Sequence, residues 1–162
     1  MMECSGYMVV SGKNQGQIDG SSLRNKRENK INLYSFSHCV SAPFQTHKNI
    51  SNGSVVHKPI DILKEIDKST PKLYQALVEK EELDIEFHWY RFNERGVEEL
   101  YYKVILTHAH LTAISPFMPN PNNASSDTTR FMETVTIAYQ KIKWDWGPHG
   151  DITFETDWRN DS

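Results

Sequence analysis

The sequence predicts a mainly β fold: a β-barrel-like pair of antiparallel sheets with one flanking α-helix. The strongest indication is residues 134–145, TVTIAYQKIKWD, in which apolar and polar side chains alternate with the two-residue period of a half-buried strand. After Gln140 and Lys141 the apolar side chains change phase, to Ile142 and Trp144, which predicts a bulge or bend within the strand. Aromatic residues make up 11% of the chain, and many lie in such alternating segments, as expected for a β core.

Alternating apolar segments bounded by turn residues define six predicted strands. Residues 93–96, between the fourth and the fifth, have the composition of a hairpin turn. Pro59 within the third strand suits an edge position or a bulge, because proline donates no backbone hydrogen bond. The predicted strands are residues 6–12, 31–40, 55–66, 85–92, 97–106 and 131–144, and residues 108–114 continue or follow the fifth.

Residues 70–80 are the one segment that predicts a helix. Thr70 is a suitable capping residue, Pro71 fits the first helical position, and no helix-breaking residue follows. A single apolar stripe runs along this segment, and we expect it to pack on a sheet or on a neighbouring subunit. The stripe consists of Leu73, Tyr74, Leu77 and Val78.

Polar, turn-rich connections separate these elements, and we expect them to be flexible. The charged run at 24–30 is mostly basic and is interpreted as a solvated loop, with a phosphate-binding patch as the alternative. The loop 41–54 carries Pro43 and Phe44, an aromatic residue with no obvious place in the core, and long ordered loops are often functional. The connections are residues 19–30, 41–54 and 116–129, followed by a short acidic tail at 147–162.

Length and charge limit the class of protein. A chain of 162 residues fits one domain, residues 1–162, and folding buries roughly 70% of its unfolded surface without help from a disulfide or a metal. The net charge of −3 argues against nucleic acid as a partner, because phosphate neutralisation needs a concentrated basic surface. Cys4 and Cys39 are too few for a disulfide scaffold, and we interpret both as reduced in a cytosol.

Neither a cleavable signal peptide nor a membrane span is expected. The N-terminus has no cationic stretch followed by an apolar core. No segment approaches the roughly 20 consecutive apolar residues that a membrane-spanning helix needs. Export, if it occurs, would therefore use a route that does not read a signal peptide.

His108 and His110 are the one attractive pair of metal ligands. Residues two apart in a strand point the same way, and imidazole suits zinc, copper or iron. No carboxylate or cysteine stands at ligand spacing beside them, so we predict no metal and no cofactor. The sequence also contains no HExxH, no GxSxG and no clustered cysteine–histidine set, so we predict no catalytic residues.

Four segments, taken in order, match one known family. They are GKNQGQI at 12–18, VHKPI at 56–60 leading into DKSTPKLYQAL at 67–77, EFHWYRFNERGVEELYYKVIL at 86–106, and TVTIAYQKIKWDW at 134–146. In this order and spacing they resemble the haemolysin-coregulated protein (Hcp) family, the tube-forming component of bacterial type VI secretion systems. The resemblance spans most of the chain, from Gly12 to Trp146.

This resemblance implies a structural role without catalysis. Family members form a barrel-like pair of sheets with a flanking helix and assemble into hexameric rings, which stack into a hollow tube. A contractile sheath propels the tube, tipped by a spike protein, and the ring lumen receives and chaperones effector cargo. The resemblance therefore implies a protein that starts in the bacterial cytoplasm and is secreted through the type VI system.

The resemblance also implies contact residues in the loop 41–54. This loop occupies the position of the family's extended loop, which reaches the adjacent ring or subunit. We therefore expect Pro43, Phe44 and His47 to lie at such a contact.

A second contact region is implied at residues 26–30. Family members often carry an acidic segment of Gly-His-Glu-Asp type before the second strand, whereas this chain has KRENK. In the family this region lies near subunit contacts, so Lys26, Arg27 and Glu28 are further interface candidates.

Two other interpretations stay open. One is a related carrier or adaptor for effectors that forms rings but no productive tube. The other is a small metal-dependent β-barrel enzyme that uses His108 and His110.

Overall fold

The computed structural model describes residues 6–45, 50–51, 55–120, 122 and 130–159. Over these ranges the chain forms strands β1–β13 and one helix, α1, which confirms the prediction of a mainly β fold with a single helix. The elements are β1 Gly6–Gly12, β2 Gly16–Ile18, β3 Ile31–Leu33, β4 Ser35–Ser37, β5 Val40–Ser41, β6 Phe44–Gln45, β7 Ile50–Ser51, β8 Val56–His57, β9 Ile60–Glu65, α1 Thr70–Val78, β10 Leu83–Phe92, β11 Glu98–Phe117, β12 Met132–Trp146 and β13 Ile152–Asp157.

The main antiparallel sheet closes on itself. Its strand order is β2-β1-β10-β11-β12-β9-β4, with β3 paired to β1 and β13 paired to β12. Residues 31–37 connect β1, next to one end of this order, with β9, next to the other end, because β3 pairs with β1 while β4 pairs with β9. Between the two short strands, the Tyr34 N–H donates to the carbonyl oxygen of Leu63 at 2.8 Å. This closure confirms the predicted barrel-like arrangement.

The predicted change of phase in the last long strand occurs, and its neighbour changes with it. Along β12 the side chains of Val135, Ile137 and Tyr139 are buried at every second position, and Ile142 is then buried in the opposite phase. In β11 the buried side shifts between Leu106 and Ala109, and the pairing with β10 changes register at the same place. His108 lies there with a left-handed φ of 54°, as expected for a bulge. The bulge bends both strands, so that one curved sheet encloses the core.

The helix packs on the sheet, but its buried face differs from the predicted stripe. α1 ends at Val78, two residues before the predicted end, and lies against β11. Leu73 and Ala76 are fully buried and Leu77 packs against the core. Val78 is 76% exposed, so its assignment to the buried stripe is wrong.

A buried ion pair ties the start of the helix to the sheet. Lys64 of β9 and Glu133 of β12 are cross-strand partners and are fully buried, with Nζ 2.5 Å from Oε2. The hydroxyl of Thr70, the first helical residue, donates to the same carboxylate oxygen at 2.6 Å. Asp67 Oδ1 lies 3.2 Å from Lys64 Nζ. One cluster of charges therefore holds two strands and the helix start in fixed positions.

Four sequence predictions need correction. Residues 31–40 form three short strands, because the chain changes partner from β1 to β9. Residues 55–66 form two strands, β8 and β9, separated at Pro59. The tail 147–162 contains β13, and β11 runs to Phe117 into the predicted loop 116–129. Positions 121 and 123–129 of that loop lie outside the described residues.

Candidate assembly surfaces

The loop 41–54 leaves the sheet as part of a two-stranded arm, residues 40–57. β5 pairs with β8, and β6 pairs with β7, both antiparallel. At the base of the arm, the Lys58 N–H donates to the carbonyl oxygen of Cys39 at 3.1 Å. Among the described residues of the predicted long loop, strand pairing therefore occurs at two places, with two residue pairs at each.

The predicted contact residues of the arm are only partly described. Pro43 is half-buried, and the backbone of Phe44 belongs to β6. The side chain of Phe44, and all of His47, lie outside the described residues. Nearby, apolar side chains on the arm face solvent: Val40, Val55 and Val56 are 39%, 54% and 42% exposed. An arm with exposed valines is typical of a surface that a partner covers.

Two histidines clamp the base of the arm to the sheet. His38 Nε2 and His57 Nδ1 lie 2.9 and 2.7 Å from the hydroxyl oxygen of Tyr139 in β12. Burial, and then the proximity of His57, hold the pKa of His38 below its ordinary value of 6.5. Burial raises the pKa of Tyr139, so its phenol stays protonated at neutral pH. No periodic pattern predicts this cluster, because its members are far apart in the chain.

The second predicted contact region, around Lys26–Lys30, is held by its own chain. The Arg27 guanidinium lies 3.6 Å from the ring centroid of Tyr90 and 3.2 Å from Glu98 Oε2, and Arg27 is only 6% exposed. Arg27 is therefore placed to hold the loop in shape, while Lys26 and Glu28 are exposed. The interface assignment of these three residues stays a prediction.

Most of the basic side chains in the run 24–30 also contact other residues of the same chain. Arg24 Nη2 donates to Glu98 Oε2 at 2.9 Å. Lys30 Nζ donates to the Tyr90 hydroxyl at 2.9 Å and lies 3.1 Å from His88 Nδ1. Cations paired in this way are poorly available to phosphate, so the geometry favours the solvated structural loop over the phosphate-binding patch.

Glu81, which the sequence did not single out, organises the turn after β1. Its buried carboxylate accepts hydrogen bonds from the backbone N–H groups of Asn14 and Gln15 (2.9 and 2.8 Å) and from Gln15 Nε2 (2.8 Å). It packs so closely on Gly12 that a side chain there would collide with it. Burial acts to raise the pKa of Glu81, but the hydrogen bonds from Gln15 and Asn14 outweigh it and the pKa lies below 4.5.

Glu81→Gln is expected to lower the free energy of unfolding at pH 7 by about 1–2 kcal/mol, because a neutral amide replaces a charged acceptor. The wild-type carboxylate contributes this stability above pH 4.5 and loses it as the pH falls. Urea unfolding at pH 7 and at about pH 3 should therefore show a difference that shrinks at the lower pH. Glu79→Gln, at an exposed carboxylate, is the control. A difference in the free energy of unfolding between the wild type and Glu81→Gln that is the same at both pH values would contradict the account.

The histidine pair in β11 lies on the outer side of the sheet. His108 Nδ1 lies 2.6 Å from Glu82 Oε1, and Glu82 also contacts Lys13. These contacts with Lys13, and then His108, hold the pKa of Glu82 below its ordinary value. His110 is half-buried. Within the described ranges there is no group of three or more His, Cys, Asp or Glu side chains placed to hold a metal ion.

An edge strand that the sequence analysis missed adds a further candidate contact surface. β13 pairs with β12 on one side, and over the described residues no strand pairs with its other side. Ile152 and Phe154 are 67% and 65% exposed, and Phe154 stacks on Trp144 with ring centroids 6.1 Å apart. An open strand edge with apolar side chains is a template for pairing with another chain.

None of the described helical segments has the length and apolarity to span a bilayer.

The closed antiparallel sheet, the arm and the open edge strand define a class: a β-barrel-like protein with exposed strands at its periphery. The family model described as "Type VI secretion system effector, Hcp" matches residues 7–146. The "Major exported protein" of Pseudomonas aeruginosa is 30% identical over 169 residues, which cover 98% of each chain. The chain therefore belongs to the Hcp family of type VI secretion system proteins.

Solved structures agree with this assignment. A crystal structure of an Hcp protein matches with a TM-score of 0.87 and 29% identity, covering 97% of this chain and 99% of the other. A mutant of the Hcp1 protein from E. coli EAEC 042 matches with a TM-score of 0.83 and 27% identity, covering 96% and 99% of the two chains. The fold of this chain is thus the Hcp fold over nearly its whole length.

Proposed function

We propose that this chain is a structural, non-enzymatic subunit of the type VI secretion inner tube. It forms hexameric rings that stack into an exported tube, binds or chaperones effector cargo in the lumen, and works with a spike protein at the tip and a contractile sheath outside. It starts in the bacterial cytoplasm and leaves through this machine, in place of the signal-peptide route. The observation that carries the proposal is the family match over residues 7–146 together with the arm and the open edge strand.

The contact surfaces support assembly with copies of the same chain. An arm with exposed valines and an open edge strand both leave apolar groups and backbone hydrogen-bonding groups for a partner. The arm and the edge strand are different surfaces. A contact in which the arm of one copy meets the edge strand of another copy is therefore heterologous. Heterologous contacts close into rings or repeat along an axis, the two geometries that a stacked-ring tube needs.

Export by the producing bacterium tests this role. In a strain that lacks the contractile sheath, the chain should stay in the cells, while a protein with a signal peptide is still exported. Deleting the gene for this chain should also stop the export of other type VI effectors. Continued effector export after the deletion would contradict the tube role and would fit a ring-forming carrier or adaptor.

Phe44→Asp is expected to weaken assembly, because a charge replaces an aromatic side chain at the proposed contact of the arm. We expect loss of stacked tubes in electron micrographs, and urea unfolding of the purified variant separates this loss from a loss of the fold. Phe117→Asp, at a 46% exposed residue away from the arm, is the matched control. Tubes that form equally well in both variants would remove Phe44, and with it Pro43 and His47, from the proposed contact.

A further inference from the structure

We propose that His38, His57 and Tyr139 form a binding site for a divalent transition metal ion of the kind that prefers imidazole ligands, such as Zn²⁺ or Cu²⁺. Two imidazole nitrogens converge on one phenol oxygen in this cluster. His38 Nε2 and His57 Nδ1 lie 2.9 and 2.7 Å from the hydroxyl oxygen of Tyr139. Three protein ligands with a further position left for water are the usual arrangement of an open metal site.

The distances within this cluster fit a metal ion after a small adjustment. Zinc lies about 2.0–2.1 Å from a nitrogen ligand, so neighbouring ligand atoms in a tetrahedral site are roughly 3.3 Å apart. The two nitrogen–oxygen distances therefore have to lengthen by about half an ångström. The χ2 torsion of histidine is broad, so small rotations of the two imidazole rings provide this shift while the backbone stays in place.

Backbone hydrogen bonds hold the three ligands in fixed positions. β5 pairs with β8, and the Lys58 N–H donates to the carbonyl oxygen of Cys39 at 3.1 Å, so the chain neighbours of both histidines are bound to each other. Tyr139 is buried in β12, and its carbonyl oxygen accepts a hydrogen bond from Trp158 Nε1. Ligands on such paired strands are already in place before an ion arrives, which favours binding.

The state of His38 suits a metal ligand. A metal ion binds the neutral imidazole, and burial, and then the proximity of His57, hold the pKa of His38 below its ordinary value. His38 also has a backbone hydrogen bond with Lys58. A second contact of this kind orients the imidazole of a metal-binding histidine and leaves the lone pair of the other ring nitrogen for the ion.

Binding exchanges a proton for the ion. The phenol proton of Tyr139 leaves to solvent, and the oxygen becomes a phenolate ligand. Burial raises the pKa of Tyr139, so the phenolate forms here only where the charge of the ion stabilises it. The phenolate offsets part of the ion's charge, and the two neutral imidazoles add none.

The ligand set selects the class of ion. Imidazole suits Zn²⁺ and Cu²⁺, whereas Mg²⁺ and Ca²⁺ prefer sites built from oxygen atoms. Both histidines are only half-buried, so an ion can reach them from solvent. Sequence spacing does not reveal this set, because Tyr139 is 101 positions from His38 and 82 from His57. The inference is independent of the proposed function, because the site lies within one chain.

Metal titration of the purified, tag-free protein at pH 7.5 tests the proposal, after a chelator has removed any metal retained from the cells. In calorimetry, Zn²⁺ should bind with one ion per chain and release a proton. Cu²⁺ should add a visible absorption band, from charge transfer between the phenolate and the metal, while Mg²⁺ should not bind. The absence of saturable binding of both Zn²⁺ and Cu²⁺ at one ion per chain would overturn the proposal.

Matched variants locate the site. His38→Gln and Tyr139→Phe should each weaken Zn²⁺ binding about 100-fold or more, since even an outer hydrogen-bond partner of a ligand contributes about 10–100-fold. Tyr139→Phe should also abolish the visible band, and circular dichroism checks that each variant is folded. His110→Gln, at another half-buried histidine, is the control and should bind as the wild type does. A folded Tyr139→Phe variant with the wild-type affinity and band would refute the assignment, whether or not rings form.

Discussion

Glu133→Leu is expected to lower the free energy of unfolding by about 3–5 kcal/mol, the usual cost of removing one partner of a buried ion pair. The substitution leaves the fully buried Lys64 ammonium with only Asp67 as a nearby carboxylate. The substitution also removes the carboxylate that accepts a hydrogen bond from the Thr70 hydroxyl, so the start of the helix loses its link to β12. Urea unfolding at a fixed protein concentration measures the change.

The double variant Lys64→Met/Glu133→Leu is the matched control. Well-packed apolar replacements of a buried pair are often neutral or stabilising, so most of the lost stability should return. The comparison separates the cost of an unpaired charge from the value of the pair. A double variant as unstable as Glu133→Leu would contradict this account and would indicate that packing volume matters more than charge.

Arg27→Ala is expected to lower the free energy of unfolding by about 2–4 kcal/mol, because it removes a buried cation–π contact and an ion pair together. The guanidinium lies on the ring of Tyr90 and pairs with Glu98, and this contact closes the loop 19–30 over β1 and β10. Thermal or urea unfolding of the purified variant gives the change.

Arg27→Lys separates charge from shape. Lysine keeps the positive charge but lacks the planar group that stacks on the tyrosine, so it should recover only part of the stability. Lys26→Ala/Glu28→Ala, at the exposed neighbours, should stay within about 0.5 kcal/mol of the wild type. Arg27→Ala with wild-type stability would show that the loop is held by its backbone hydrogen bonds alone.

The alternation of apolar and polar residues predicts those strands that are buried on one face only. Residues 134–145 show the period and its change of phase because one face of β12 meets the core throughout. In β13 the alternation is limited to Ile152 and Phe154, which is too short to predict a strand, and neither side chain is buried. Residues 31–40 look like one strand, and only the tertiary arrangement shows that they divide between two partners.

The polar clusters inside the fold were less accessible from sequence for a related reason. Lys64 and Glu133 stand at apolar phases of their strands, and nothing local indicates that they pair across 69 positions of chain. The same holds for Glu81, which meets Gln15 across 66 positions, and for the clamp around Tyr139. Long-range polar clusters depend on closure of the sheet, whereas the loop 41–54 was recognisable from its composition and its place in the family pattern.

The most direct test of the central claim, that this chain is a ring-forming tube subunit, is its mass in solution. Light scattering behind size exclusion, with negative-stain images of the peak, measures mass and shape on the same reduced sample. The account predicts a mass near six subunits and ring-shaped particles, some of them stacked at high concentration by mass action. A folded monomer that persists as the concentration rises, without rings in the images, would contradict it.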